Sequence, residues 1–240
     1  MYHRFDENKY PSTNIRMEFF LKHVQLINSL NYEFIHPNEF KKKFDTPKKQ
    51  KKILLTIDDG FQSFYKIAWP FLKKNKIPFI LFISTEPVGN KGYMNWDQIK
   101  EIEKESFAVI GHHSHTHEYL IEKSNEEFIN DIETANSIFK NKLGYVPDLF
   151  SYPFGEYSEF MRNYISNNFT FAFGQHSGVI DSSKDFLELP RFPINEKYGE
   201  LKRFKSIIQT LPFPYEKITP ENRYIKGNEN PPKVKIKFFK

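Results

Sequence analysis

Cysteine is absent from the 240 residues. That excludes disulfides and thiolate metal sites and leaves the compartment open. No stretch approaches the roughly 18 consecutive apolar residues of a membrane span, so no membrane span is expected. No secretory leader is visible, because polar residues begin at His3 and Arg4. No internal repeat shows, and nothing looks like a DNA-reading element. The net charge of +5 sits in short lysine runs, Lys41 to Lys43 and Lys48 to Lys52. No basic helix or aromatic–basic ladder accompanies them, so they read as solvated loops and no nucleic-acid partner is expected. Attraction to an anionic polymer or cell surface stays open.

Phe, by contrast, is abundant, with 26 copies in a chain whose aromatics reach 17%. One reading is a codon bias toward Phe, Lys, Asn and Ile. The other is a sugar-binding surface, since flat aromatic faces stack on sugar rings. Hydrophobic content of 39% and charged content of 27% are ordinary for a soluble globular protein. The length suits one α/β domain with loops, or one domain and a small extra piece.

Along the chain, strand and helix patterns alternate. Residues 53–57 form an apolar run that reads as a buried strand. Residues 61–74 read as a helix divided or kinked at Pro70. Strands are expected at 78–83, 107–110, 149–152 and 169–173, and helices at 15–30, 96–105, 124–142 and 160–167. The helix at 124–142 carries the clearest signals: Ser124 with Glu127 makes a capping box, and Gly144 follows its end. Asn95 reads as the cap of the helix at 96–105. Such alternation implies parallel pairing, as in a barrel or a doubly wound sheet. Residues 234–238 alternate like an edge strand.

Three segments follow predicted strands, and in parallel α/β domains sites are built at the C-terminal strand ends. The first is Thr56-Ile57-Asp58-Asp59-Gly60, two adjacent carboxylates before a glycine that permits a sharp turn. One Asp could hold a metal and the other move protons, or both could be turn and capping acids. The second, Gly111-His112-His113-Ser114-His115-Thr116-His117, places four of the eight histidines within six residues. Imidazole is the commonest metal ligand, and spacing alone allows His113 with His117 or His113 with His115. The third, Ser151-Tyr152-Pro153-Phe154-Gly155, reads as a rigid aromatic wall with a backbone N–H aimed into a cleft, or as an ordinary turn. Acids and histidines on separate strand ends suggest an Asp-His-His site with one face left open for water.

In order and separation these segments resemble the motifs of the polysaccharide deacetylases, carbohydrate esterase family 4 or the NodB-homology family, over residues 1 to 210. The resemblance implies an irregular (β/α)7 barrel. It implies a divalent metal cofactor, Zn2+ first among the choices, held by Asp59, His113 and His117, with Asp58 as general base. It gives the backbone N–H of Phe154 to the oxyanion. Trp96, Tyr152 and Phe154 could stack on sugar rings, with Trp96 equally readable as a core residue. The family's third motif begins with an Arg that holds the base. Here Ser151 stands in its place, and Arg191, in Leu189-Pro190-Arg191-Phe192-Pro193, is a candidate replacement. The family's late Leu-x-His motif, source of the general acid, is missing.

Met1-Tyr2-His3-Arg4 resembles the segment ending the first strand in the branch that deacetylates poly-β-1,6-N-acetylglucosamine. That resemblance gives the acid role to His3, with His176 a second candidate. The expected domain spans 1–212 and lacks its first strand, and residues 213–240 form an extension that starts a further β element. The implied activity is removal of N-acetyl groups from N-acetylglucosamine units of a polysaccharide or oligosaccharide substrate. By the same resemblance it acts at the cell envelope, in the periplasm or outside the cell. Rival readings are an O-acetyl esterase, a carbohydrate-binding protein on the same fold and a metal-binding regulator. The oligomeric state is not readable.

Overall fold

The computed structural model describes residues 1–43, 51–181, 184–221, 224–225, 227–229 and 231–238. Near the N-terminus, β1 (Arg4–Phe5) pairs with β2 (Asn14–Ile15), and α1 (Met17–Ser29) follows. The expected strand at 53–57 is divided. β3 (Glu33–Phe34) is followed by α2 (Pro37–Lys43), and then β4 (Lys52–Ile53) pairs with β3, whereas β5 (Thr56–Ile57) enters the main sheet. The lysines at 41–43 thus end a helix rather than lie in a loop. Of the second lysine run, residues 48–50 lie outside the described residues.

The helix expected at 61–74 is also modified. Pro70 contributes no N–H, and the turn ahead of it takes the wider π form over Phe64–Ala68 before α3 (Trp69–Asn75) resumes. Then β6 (Phe79–Ile83), α4 (Trp96–Glu103), β7 (Ala108–His112), α5 (Asn125–Leu143), β8 (Leu149–Ser151), α6 (Glu159–Ile165) and β9 (Phe171–Phe173) alternate, ahead of α7 (Leu201–Ile208). Capping boxes start both α4, through Asn95 and Gln98, and α5, through Ser124 and Glu127. Gly144 ends α5 at φ 87°, a conformation that only glycine adopts without strain. A terminal hairpin joins β10 (Tyr215–Thr219) to β11 (Lys235–Phe238), so the alternating segment at 234–238 has a strand partner that sequence periodicity did not reveal.

The main sheet is parallel throughout, in the order β5-β6-β7-β8-β9, and curls into a half-barrel. Single parallel bridges extend it on both sides, Tyr2 to Ile57 and Leu189 to Phe173. The last segment then meets the first: Ile194 N–H donates to the Met1 carbonyl at 3.0 Å. Seven strand positions therefore surround one interior, two of them reduced to bridges, which is the irregular (β/α)7 barrel. The buried phenylalanines lie on both faces of the sheet: Phe82 and Phe173 pack inside the barrel, and Phe5, Phe64, Phe79 and Phe150 pack in the clusters beneath the helices.

His23 of α1 ties the barrel's first strand to the approach of α7. Its Nδ1 accepts from the Tyr2 hydroxyl at 3.0 Å and its Nε2–H donates to the Gly199 carbonyl at 2.7 Å. Burial lowers its pKa to about 4. The fold therefore holds the neutral imidazole, and its contribution is complete above the ordinary pKa near 6.5. Stability is lost as pH falls from 6.5 toward 4, by roughly 3 kcal/mol from this residue at the lower end. The urea midpoint should decline over that window in the parent chain and decline less in His23→Gln. Equal slopes would show that another group governs the effect.

Candidate metal centre and base

Asp58 and Asp59 follow β5, His113 follows β7, Tyr152 follows β8, and His3 and Arg191 follow the bridging residues Tyr2 and Leu189. All stand at C-terminal ends of parallel strands, so one end of the barrel gathers them. Asp58 N–H donates to the Tyr2 carbonyl at 2.9 Å, keeping Asp58 in register. Successive strand side chains face opposite ways, which would separate the two carboxylates. Asp59 at φ 73° and Gly60 at φ 71° break the strand and bring both acids to the same pocket. A Cβ at Gly60 would lie 2.6 Å from Ile83 Cδ1.

The same alternation sorts the histidines. His112 faces outward, packed among Phe139, Phe150 and Phe169, and burial lowers its pKa to about 3. His113 faces inward. Its Nδ1–H donates to the Ser151 carbonyl at 2.6 Å, which leaves the Nε2 lone pair for another partner. That Nε2 lies 3.3 Å from Asp59 Oδ1, and His117 Nε2 lies 3.1 Å from the same oxygen. His115 turns away, its Nδ1 2.7 Å from Thr85 Oγ1, so the side chains that cluster with Asp59 are those of His113 and His117.

Asp59 Oδ1 and His113 Nε2 are buried with no hydrogen-bond partner among the described residues. Buried polar atoms rarely stay so. Two imidazole nitrogens and a carboxylate oxygen within 4.8 Å of one another form a donor set that fits a divalent ion such as Zn2+. Burial opposes ionisation of Asp59, and His113 and His117 outweigh it, holding the carboxyl well below its usual range.

Asp58 is fully buried and held differently. Arg191 Nη1 donates to its Oδ1 at 2.8 Å, and Ser151 Oγ donates to its Oδ2 at 3.3 Å. Arg191 also donates from Nη2 to Ser151 Oγ at 2.8 Å and from Nε to the Gly174 carbonyl at 2.8 Å. Ser151 thus sits where the family's Arg stands and touches both the guanidinium and the carboxylate. Its part was not legible from the motif. Burial would raise the Asp58 carboxyl; Arg191, with His113 and His3, lowers it below its ordinary value, so it is ionised at neutral pH.

His3 is buried, and its imidazole pKa is lowered, because burial outweighs the pull of Asp59 and Asp58. His176 is exposed, and its carbonyl accepts from the Arg191 N–H at 3.0 Å. Phe154 lies at φ 57° and is 47% exposed, its ring 4.9 Å from that of His117 and 5.4 Å from that of Tyr119. Tyr119, only two residues beyond His117, was not singled out in the sequence.

Two expected sugar-stacking residues are placed elsewhere. Tyr152 is fully buried and stacked on Tyr157 at 4.5 Å, because it shares the outward-facing parity of Phe150. Trp96 opens α4 and packs edge-on against Phe139 of α5 at 5.9 Å, among the core side chains. Neither offers a ring to the metal-ligand cluster.

Comparison with known proteins gives this arrangement a lineage. The chain is 27% identical over 152 residues to the poly-beta-1,6-N-acetyl-D-glucosamine N-deacetylase of Staphylococcus aureus, a match over 57% of this chain and 52% of that protein. It is 26% identical over 161 residues to YxkH of Bacillus subtilis, named for the same family, over 66% of this chain and 57% of that protein. It therefore spans little more than half the length of these relatives. In fold it matches the deacetylase PplD of Streptococcus pyogenes, solved with acetate, with a TM-score of 0.77 at 19% identity over 88% of this chain and 96% of that one. IcaB from Ammonifex degensii gives 0.76 at 24% identity over 87% and 95%. A family model described as polysaccharide deacetylase matches residues 45–170, more than half of the sequence, and the chain belongs to that family.

Proposed function

We propose that the chain is a metal-dependent hydrolase that removes N-acetyl groups from N-acetylglucosamine units of a polysaccharide at the cell envelope. One observation carries the reading: the unpartnered ligand atoms of Asp59 and His113 converge with His117 beside a carboxylate, Asp58, that Arg191 keeps ionised. Asp59, His113 and His117 would hold Zn2+ or a similar ion, whose chemistry is Lewis acidity toward a carbonyl and toward water. Asp58 takes the proton from the attacking water. The backbone N–H of Phe154 faces the oxygen on which charge develops. His3 hands a proton to the departing amine, which is a poor leaving group without one. The exposed Phe154 and Tyr119 rings flank the cluster and offer an aromatic wall to the sugar. Residues 1–212 constitute the hydrolase domain in this reading, and the hairpin beyond is an addition to it.

The test is acetate release from N-acetylglucosamine oligomers by the purified chain. Activity should vanish on chelation and return with zinc. Release from O-acetylated but not N-acetylated oligosaccharides would replace the amide reading with an esterase. Metal-independent oligosaccharide binding without turnover would replace it with a binding protein.

A further inference from the structure

The inner face of α5 is apolar, with Phe128, Ile132, Ala135 and Phe139 buried, and it also buries one carboxylate, that of Asp131. A charge survives on such a face only where partners meet it. Asp131 Oδ1 accepts the His115 N–H at 2.7 Å, and Oδ2 accepts the Thr116 N–H at 2.9 Å and the Thr116 hydroxyl at 2.7 Å. All three donors belong to the turn between His113 and His117.

That turn is contorted. Ser114 lies at φ 71° and His117 at φ 56°, left-handed conformations that non-glycine residues keep only when their surroundings impose them. On one side the turn is tied to the loop after β6: Thr85 N–H donates to the Ser114 carbonyl at 3.3 Å and Glu86 N–H to the His115 carbonyl at 3.0 Å. On the other side Asp131 grips the N–H groups of His115 and Thr116, while the His117 N–H donates to Ser114 Oγ at 3.2 Å. The His117 ring is 25% exposed and touches the His113 and Phe154 rings, at 4.8 and 4.9 Å, while the backbone of the turn sets where that ring stands.

We propose that Asp131 is a positioning residue for the metal centre. It clamps the turn so that His117 Nε2 reaches the Asp59 carboxylate. The proposal rests on the metal-dependent reading above and adds a residue to it that touches neither ion nor substrate.

The experiment is zinc affinity of the full chain by chelator competition, with circular dichroism of each variant. Asp131→Asn keeps the size of the side chain but cannot accept from both sides as the carboxylate does. Its zinc affinity should fall about 10- to 100-fold, the range for partners that orient metal ligands. One zinc should still bind at saturation, and excess zinc should restore kcat. Thr116→Val deletes one of the three bonds and should give a smaller loss with the fold intact. It keeps the proposal testable should Asp131→Asn fail to fold. Affinities within twofold of the parent for both variants would overturn the clamp while leaving the metal reading in place. A parent chain that takes up no zinc would overturn that reading first, and the clamp with it.

Discussion

Asp58→Asn is expected to lower kcat by about 10²- to 10⁴-fold, the span assigned to a positioned proton-transfer group, and to leave fold and zinc content unchanged. The substitution is nearly isosteric. Arg191 Nη1, now 2.8 Å from Asp58 Oδ1, would still find an amide oxygen there. The metal ligands are on other residues: Asp59 turns away from the strand at φ 73°, and His113 is fixed by the Ser151 carbonyl. What disappears is an anionic oxygen able to take a proton. kcat and kcat/KM should therefore fall together, since the interaction lost is made only in the transition state. Single-turnover acetate release alongside zinc analysis checks this. Activity within threefold of the parent, with zinc bound, would remove Asp58 from the reaction.

How far the sequence could have led depends on the range over which each feature is determined. The capping box of Ser124 and Glu127, the glycine stop at Gly144 and the Asp58-Asp59-Gly60 turn are settled within a few residues, and they read correctly from the chain. The outward packing of Tyr152 could not be read so easily. It follows from the parity of β8, which turns Leu149 and Ser151 inward and Phe150 and Tyr152 toward the helices, and only neighbouring strands fix that register. Trp96 has the same character: the side chain at the start of α4 finds Phe139, 43 positions later, and joins the outer core instead of the cleft. The π turn before Pro70 trades one hydrogen-bond pattern for another with no change in apolar spacing, so periodicity did not reveal it. Asp131 gave no signal because an acid inside an amphipathic helix is normally read as solvent-facing. Its partners lie 15 and 16 positions earlier in the chain, in a turn whose geometry no local pattern specifies.

The ion pair between Arg191 and Asp58 joins residues 133 positions apart, and its removal should produce the largest change in stability. Both side chains are almost wholly buried, 4% and 0% exposed. In Arg191→Met the Asp58 carboxylate would retain the Ser151 hydroxyl at 3.3 Å and the His113 Nε2 at 3.9 Å, and no permanent cation among the described residues. Stranding a buried charge costs about 3–5 kcal/mol, which for a chain of this size lowers the melting midpoint by roughly 10 °C. The measurement belongs in chelator, because a bound cation beside Asp58 would offset part of the missing charge. Lys at 191 should rescue little: a single ammonium cannot reach Asp58, Ser151 and the Gly174 carbonyl at once, as the guanidinium does. The decisive variant is the double one. Asp58→Asn with Arg191→Met leaves no stranded charge, so it should melt above Arg191→Met alone despite carrying one more substitution. That non-additivity is the signature of a coupled pair. Two simply additive losses would mean that Arg191 supports the barrel through the Gly174 carbonyl and the Phe82 and Phe173 rings, 5.5 and 5.9 Å from its guanidinium, and not through the carboxylate.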